Sequence, residues 1–140
     1  MVNVIKIESD ADLQKAFKIR EEVFVVEQNV DRDEEYDEFE DSSIHFLAII
    51  NNEPVGTARW RAKGDKIKLE RFAVLKNARG SGVGAALVNS VVEDVNSKNL
   101  GKQMYMHAQV HAIPFYEKLG FKKQGDLFVE CDIEHYIMVK

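Results

Sequence analysis

Apolar residues recur in two rhythms along this chain, and the rhythm changes wherever glycine, proline, asparagine or a run of acids interrupts it. Val2, Val4, Ile5 and Ile7 alternate roughly with polar neighbours, which predicts a strand over residues 2–8. Ser9 and Asp12 then have the spacing of a capping box, with Asp in place of Glu. Leu13, Ala16, Phe17, Val23 and Phe24 follow at helical spacing, so residues 10–26 are predicted to be one amphipathic helix with a break near Val25. The segment 43–50 (SIHFLAII) reads as a strand, residues 51–54 as a turn, and 55–61 and 66–75 as two more strands joined by the AKGD turn.

Helical periodicity returns after Gly84, with Leu87, Val88, Val91, Val92 and Val95 on one face of a helix expected over residues 85–99. A strand over 102–110 follows, then a short helix in IPFYEKLGF that Pro114 opens and Gly120 stops. Residues 121–130 and 133–140 read as two closing strands. The order β-α-β-β-β-α-β-α-β-β predicts a mixed α+β sheet of about seven strands. The β-α-β crossover in its middle supplies a parallel pair and short connections make the rest antiparallel. The absence of repeats and of linker composition makes residues 1–140 one expected domain.

Composition adds little to this outline. The chain has 140 residues, 45% apolar and 31% charged, an ordinary globular mixture. A net charge of -5 argues against a nucleic-acid binder, and no apolar stretch is long enough for a leader or membrane span. With the single cysteine Cys131 no internal disulfide can form, which points to a reducing cytoplasm. Residues 31–43 are strongly acidic, with eight Asp or Glu between Asp31 and Asp41. They read either as a solvated loop or short helix, or as a rim that draws in a cationic substrate.

The candidate chemistry lies between the fourth strand and the long helix. Gly80, Gly82 and Gly84 leave backbone N–H groups free to point inward, a helix N-terminus follows, and Arg79 adds a cation, together making an anion site of diphosphate size. A Walker loop is excluded because no GK[ST] occurs. Gly80, Gly82 and Ala85 satisfy the G-x-G-x-x-A of a dinucleotide fold, yet residues 100–111 lack the acid which that fold needs. His107-x-x-x-His111 straddles a strand end and a loop rather than one helix face, so no metal is expected.

Arg79-x-x-Gly82-x-Gly84 resembles the (Gln/Arg)-x-x-Gly-x-(Gly/Ala) signature of the GNAT superfamily of N-acetyltransferases. AIPFYEKLGFKKQG, residues 112–125, resembles its second motif, and the element order matches across nearly the whole chain. REEVFVVEQ (20–28) and HAQVHAIPFYEKLGF (107–121) are further similar to the small bacterial ElaA-like branch. The resemblance implies acetyl-CoA as co-substrate, with its diphosphate at Arg79, Gly80, Ser81, Gly82, Val83 and Gly84 and its pantetheine arm along Phe72, Ala73 and Val74. It implies a backbone oxyanion donor on that strand, Tyr116 as proton donor to the leaving thiolate, and a homodimer through the terminal strands.

A phenol near pKa 10 stays protonated at neutral pH and can supply a thiolate of pKa about 8.5. Tyr116 is one step off the line of Phe115 and Leu119, which read as core, and so can face a cleft. A base is needed because the acceptor, a primary amine of a small molecule or peptide, is mostly protonated. Glu70 is the first candidate, with Glu130, His135, Glu22 and Glu27 as rivals. A covalent acyl-enzyme on Cys131 is not required. A non-catalytic acyl-CoA-binding regulatory module and an acyltransferase with a longer acyl donor are the other functions weighed, and neither nucleic acid nor membrane is an expected partner.

Overall fold

The alternation and the helical stretches become seven strands and four α-helices in the computed structural model, which describes residues 1–98 and 100–140. In chain order they are β1 Asn3–Lys6, α1 Asp10–Arg20, α2 Arg32–Glu35, β2 Ile44–Ile50, β3 Glu53–Lys63, β4 Lys66–Val74, α3 Val83–Ser97, β5 Gln103–Gln109, α4 Ile113–Lys118, β6 Lys122–Glu130 and β7 Ile133–Val139, with a π-helical stretch Glu21–Glu27 after α1. The strands form one sheet of seven in the order β1-β2-β3-β4-β5-β7-β6. Only β4 and β5 run parallel, so the expected mixed sheet is the one observed.

Several boundaries differ from the sequence pattern: β3 runs from Glu53 to Lys63, where a turn over 51–54 and a strand over 55–61 were expected, and β1 is shorter than 2–8. The first helix does not break at Val25. It widens at Glu21 into the π stretch, which keeps the backbone helical to Glu27 while rotating the face it presents. Ser9 does cap α1, its hydroxyl accepting from the Asp12 N–H at 3.2 Å. The long helix starts at Val83 rather than Ala85, because Gly82 at φ 82° serves as its N-cap. Asn99, the last residue of the expected helix, lies outside the described residues.

Each face of the sheet has its own core. Val83, Leu87, Val88, Val91, Val92 and Val95 of α3 are buried with Ala58, Trp60, Ile67, Leu69 and Met106 on one face. Each such side chain contributes about 1.5–3 kcal/mol. Asp94 on α3 accepts from the Trp60 indole at 2.9 Å and meets Lys6 at 2.6 Å, fixing the helix against β1 and β3. On the other face Ala16, Ile19 and Val23 pack against Leu47 and Ala73.

The register of β3 on β4 contains the feature that opens the molecule. Thr57 faces Ala73 and Arg59 faces Glu70, so Ala58 stands opposite two residues, Arg71 and Phe72. That is a β-bulge, and Arg71 takes φ 59° within it. Side-chain parity reverses there: Ile67 and Leu69 lie in the α3 core, whereas Ala73 lies in the α1 core. Pairing of β4 with β5 is recorded from Lys66 opposite Gln103 to Leu69 opposite Met106. Beyond that point both strands continue and leave a wedge between them.

The acidic segment includes the short helix α2, keeps Asp31, Asp33, Glu34, Glu38 and Asp41 exposed, and brings Glu34 and Glu35 to the lining of a cavity, but it is not simply solvated. It folds onto the α1 face because arginines from three elements hold it. Arg20 meets Glu35 at 2.7 Å and Glu40 at 2.8 Å, and Arg59 meets Asp37 at 2.7 Å, Glu40 at 2.8 Å and Glu70 at 3.0 Å. Arg71 adds contacts to Glu35 and Asp37, both at 3.3 Å. Arg20 and Arg59 are 1% and 0% exposed. Buried charges of this kind persist because each has opposite charge and hydrogen bonds around it.

The network makes stability sensitive to acid. Burial by itself would raise the carboxyls of Asp37 and Glu70, but hydrogen bonds and charge from Arg59, helped at Glu70 by Lys68 and Arg61, bring both to about 2. Their ordinary values are 3.8 and 4.5. A depressed folded-state value contributes stability that is complete above the ordinary value and lost as pH falls toward the folded one. Urea unfolding followed by circular dichroism is therefore expected to show stability falling steeply between about pH 4.5 and 2. A flat profile across that window would contradict the network.

Candidate active site

A cavity of about 1030 Å³ fills the wedge and passes from the α3 face to the α1 face. Leu75 donates its N–H to Val55 of β3 at 2.9 Å, so by alternation Ala73 and Leu75 turn their polar groups to β3, and Phe72 and Val74 turn theirs to the opening. The edge formed by Phe72, Ala73 and Val74 thus lines the cavity with backbone groups that no strand pairs. An amide-bearing arm could lie there as an added strand.

At one end of this edge are Arg79, Gly80, Gly82, Val83 and Gly84, all lining the cavity, while Ser81 is exposed beside them. Gly80 and Gly82 have φ 83° and 82°, and nothing lies within 4 Å of where a Cβ would be. The first turn of α3 carries no acidic residue and no side-chain cap, so its free N–H groups face that open space. The donor set fits a diphosphate. Gly84 serves packing instead: a Cβ there would meet the Phe115 ring at 3.1 Å. Arg79 is not a free cation. Its guanidinium forms a two-point pair with Glu27 at 2.6 and 2.8 Å, and its Nε donates to the Val74 carbonyl at 3.0 Å.

Tyr116 enters from α4 on the α3 side. Its ring packs edge-on to Phe72, Phe115 and Phe121, and it is 9% exposed while still lining the cavity. Burial pushes its phenol well above the usual value. Phe115, read from the sequence as core, is 37% exposed and lies against Gly84 at the cavity wall. The short helix therefore turns Tyr116 inward and Phe115 outward, the reverse of what one turn of periodicity suggested.

Glu70 also lines the cavity, on the α1 side. It is bound by Arg61 at 2.7 Å, Arg59 at 3.0 Å and Lys68 at 3.1 Å, and its carboxyl is held at about 2. A carboxylate so stabilised as an anion is a poor proton acceptor near neutral pH. Among its rivals, Glu27 is taken by Arg79 and Glu22 is exposed and outside the cavity, whereas Glu130 and His135 line it. Missed in the sequence was His107, which lines the cavity with its Nδ1 3.1 Å from Glu130. The sheet order brings the two together, since β5 and β6 both flank β7. Cys131 donates to Glu34 at 2.8 Å, and burial together with that carboxylate pushes its thiol up to about 11, which leaves it inert as a nucleophile. Among the described residues no group of three His, Cys, Asp or Glu is arranged to hold a metal ion, and no helix is long and apolar enough to cross a membrane.

A seven-stranded mixed sheet that parts between two parallel strands, with a glycine turn and an uncapped helix at the parting, defines the acyl-CoA N-acyltransferase fold. Residues 8–140 match the acetyltransferase (GNAT) domain family, and the chain belongs to that family. It is 39% identical over 133 residues to the uncharacterized N-acetyltransferase YjcF of Bacillus subtilis, covering 94% of each chain. It is 30% identical over 136 residues to protein ElaA of Escherichia coli, covering 94% of this chain and 89% of ElaA. The crystal structure of Escherichia coli ElaA superposes with a TM-score of 0.84 over 99% of both chains. An aminoglycoside 6'-N-acetyltransferase solved in complex with coenzyme A shares the fold at 19% identity, with a TM-score of 0.77 over 99% of this chain and 96% of that one.

Proposed function

We propose that the protein moves an acetyl group from acetyl-CoA to a primary amine of a small molecule or peptide, by direct attack in a ternary complex. The observation that carries this reading is the continuity of the cavity: open glycine turn, unpaired β4 edge, buried tyrosine and polar α1-side chamber form one passage through the sheet. The diphosphate binds the Gly80–Gly82 turn and the α3 N-terminus, and the pantetheine arm pairs with Phe72 and Val74. Backbone N–H groups of the same edge face the thioester carbonyl, where negative charge develops during attack. Tyr116 keeps its proton at all working pH and passes it to sulfur as the C–S bond breaks. The same exclusion of water that raises the phenol also makes the departing thiolate more basic, which keeps the two matched. Glu70 has no part in proton transfer in this reading; its charge holds Arg59, Arg61 and Lys68 beneath the acceptor chamber.

Isothermal calorimetry with coenzyme A is expected to give the same affinity with and without a chelator, because the cradle offers backbone N–H donors and, among the described residues, no carboxylate arranged to hold a metal. Loss of binding on chelation would overturn the cradle. Gly82→Glu is expected to abolish binding while circular dichroism still reports a folded chain, since the new carboxylate would occupy the anion position. A thiol-release screen of acetyl-CoA against pools of primary amines then separates an enzyme from a non-catalytic binder: coenzyme A binding without thiol release from any pool would favour the binding module.

A further inference from the structure

The proposed transfer leaves one proton without a destination. An ammonium acceptor must lose a proton before it can attack, and the carboxylate of Glu70 is committed to three cations. His107 occupies the position on β5 directly after the last residue paired to β4, Met106, and so stands at the vertex of the wedge. Met106 faces the α3 core with Leu69, so His107 faces the opposite side, toward the α1 chamber. Tyr116 reaches the same cavity from the α3 side. A thioester lying in the wedge would therefore have the tyrosine on one face of the sheet and the imidazole on the other.

The bond to Glu130 fixes which imidazole nitrogen is available. The hydrogen bond from His107 holds the Glu130 carboxyl below the usual range, so it is ionised and can only accept. Nδ1 must then carry the hydrogen in the 3.1 Å contact, and Nε2 of the neutral ring keeps its lone pair. Edge-to-face contacts with Phe128 at 5.0 Å and a tilted contact with Tyr105 at 6.0 Å hold the ring in place. Around it, β4 presents the mutually paired Lys68 and Glu70, β6 presents Glu130, and β7 presents His135. His135 also bonds through Nδ1, to the Ile133 carbonyl at 2.7 Å, but it pairs with Gln109 and so stands one strand farther from the wedge.

Resting on the acetyltransferase reading above, we infer that His107 is the proton acceptor for the incoming amine and that Glu130 is its positioning residue. The ammonium gives one proton to Nε2, and the neutral amine attacks the thioester carbon. The new C–N bond forms as the C–S bond breaks, and the thiolate takes the Tyr116 proton. The phenolate is reprotonated by the second proton leaving nitrogen, and the imidazolium returns the first to solvent. The sum is ammonium plus thioester giving amide, thiol and one proton.

Two measurements test this. Nitrogen-15 NMR of the imidazoles, which needs no acceptor, is expected to show neutral His107 as the Nδ1–H tautomer, and that preference should weaken in Glu130→Gln. A neutral ring protonated on Nε2 would overturn the assignment whatever reaction the protein performs. For kinetics the probes are n-butylamine, an ammonium at neutral pH, and methoxyamine, already neutral there. His107→Gln should lower kcat/KM for n-butylamine about 10²–10⁴-fold and spare methoxyamine. Equal losses on both would make His107 structural and sink the inference. Thiol release with neither probe in the wild type would count against the parent reading, while the tautomer still decides the pair.

Discussion

Tyr116→Phe is expected to lower turnover of acetyl-CoA by about 10²–10⁴-fold, the usual worth of a general acid, with coenzyme A affinity unchanged in calorimetry. The two effects separate because the ring and the hydroxyl do different things. The ring packs on Phe72, Phe115 and Phe121, and phenylalanine reproduces those contacts. The hydroxyl is the part that can protonate a leaving sulfur, and the residue lines the cavity in which that sulfur would lie. Quenched-flow or thiol-release assays read the first quantity and calorimetry the second. Wild-type turnover in the variant would reduce Tyr116 to a packing residue. Parallel losses in both would mean that the substitution had disturbed the wedge itself.

Arg59→Met is expected to destabilise the fold by about 3–5 kcal/mol, because it breaks a buried ion-pair network at the cation that three carboxylates share, leaving each with fewer partners. Asp37, Glu40 and Glu70 all touch this guanidinium, and the side chain is fully buried. For a chain of this size the loss corresponds to a fall in Tm of about 10–15 °C, read by calorimetry or circular dichroism. Arg71→Met should cost much less, since Arg71 is 23% exposed and its carboxylate contacts lie at 3.3 Å. If Arg59→Met melted within a degree or two of the wild type, the network would be peripheral to stability. The Arg59 Nε has no acceptor among the described residues, so the pairing is not complete even in the native state.

The order of elements along the chain, the crossover and the glycine turn were legible because each rests on local spacing: Leu87 to Val95 at helical intervals, Gly80 and Gly82 between a strand and a helix, Pro114 and Gly120 around a short one. The tyrosine was legible through its motif, although its burial was not, since six residues of α4 give too little periodicity to choose a face. Nothing in Arg71-Phe72 announces a positive φ at an arginine, because the bulge is imposed by sheet pairing on both sides of it. The acidic run read as a solvated loop or short helix, or as a rim, and nothing in its spacing pairs it with Arg20, Arg59 and Arg71. Their pairing is a property of the assembled chain alone. His107 and Glu130 are far apart in sequence and become neighbours only through the order β5-β7-β6.

The bulge at Arg71 has a counterpart in how the gene can change length. Most insertions and deletions in a domain are absorbed at hairpin tips such as Lys63 to Lys66, where one residue more or less alters only a loop. Removing one residue between Glu70 and Ala73 would cancel the shift that the bulge puts into the alternation of the sheet. Phe72, Ala73 and Val74 would keep their present sides in regular alternation with Ile67 and Leu69, β4 would regain the regular pleat that continues its ladder with β5, and the gap would zip shut. A single-codon deletion here would then yield a better-paired sheet with nowhere to put a thioester. Among the length changes open to this chain, that one trades away the chemistry while satisfying every strand.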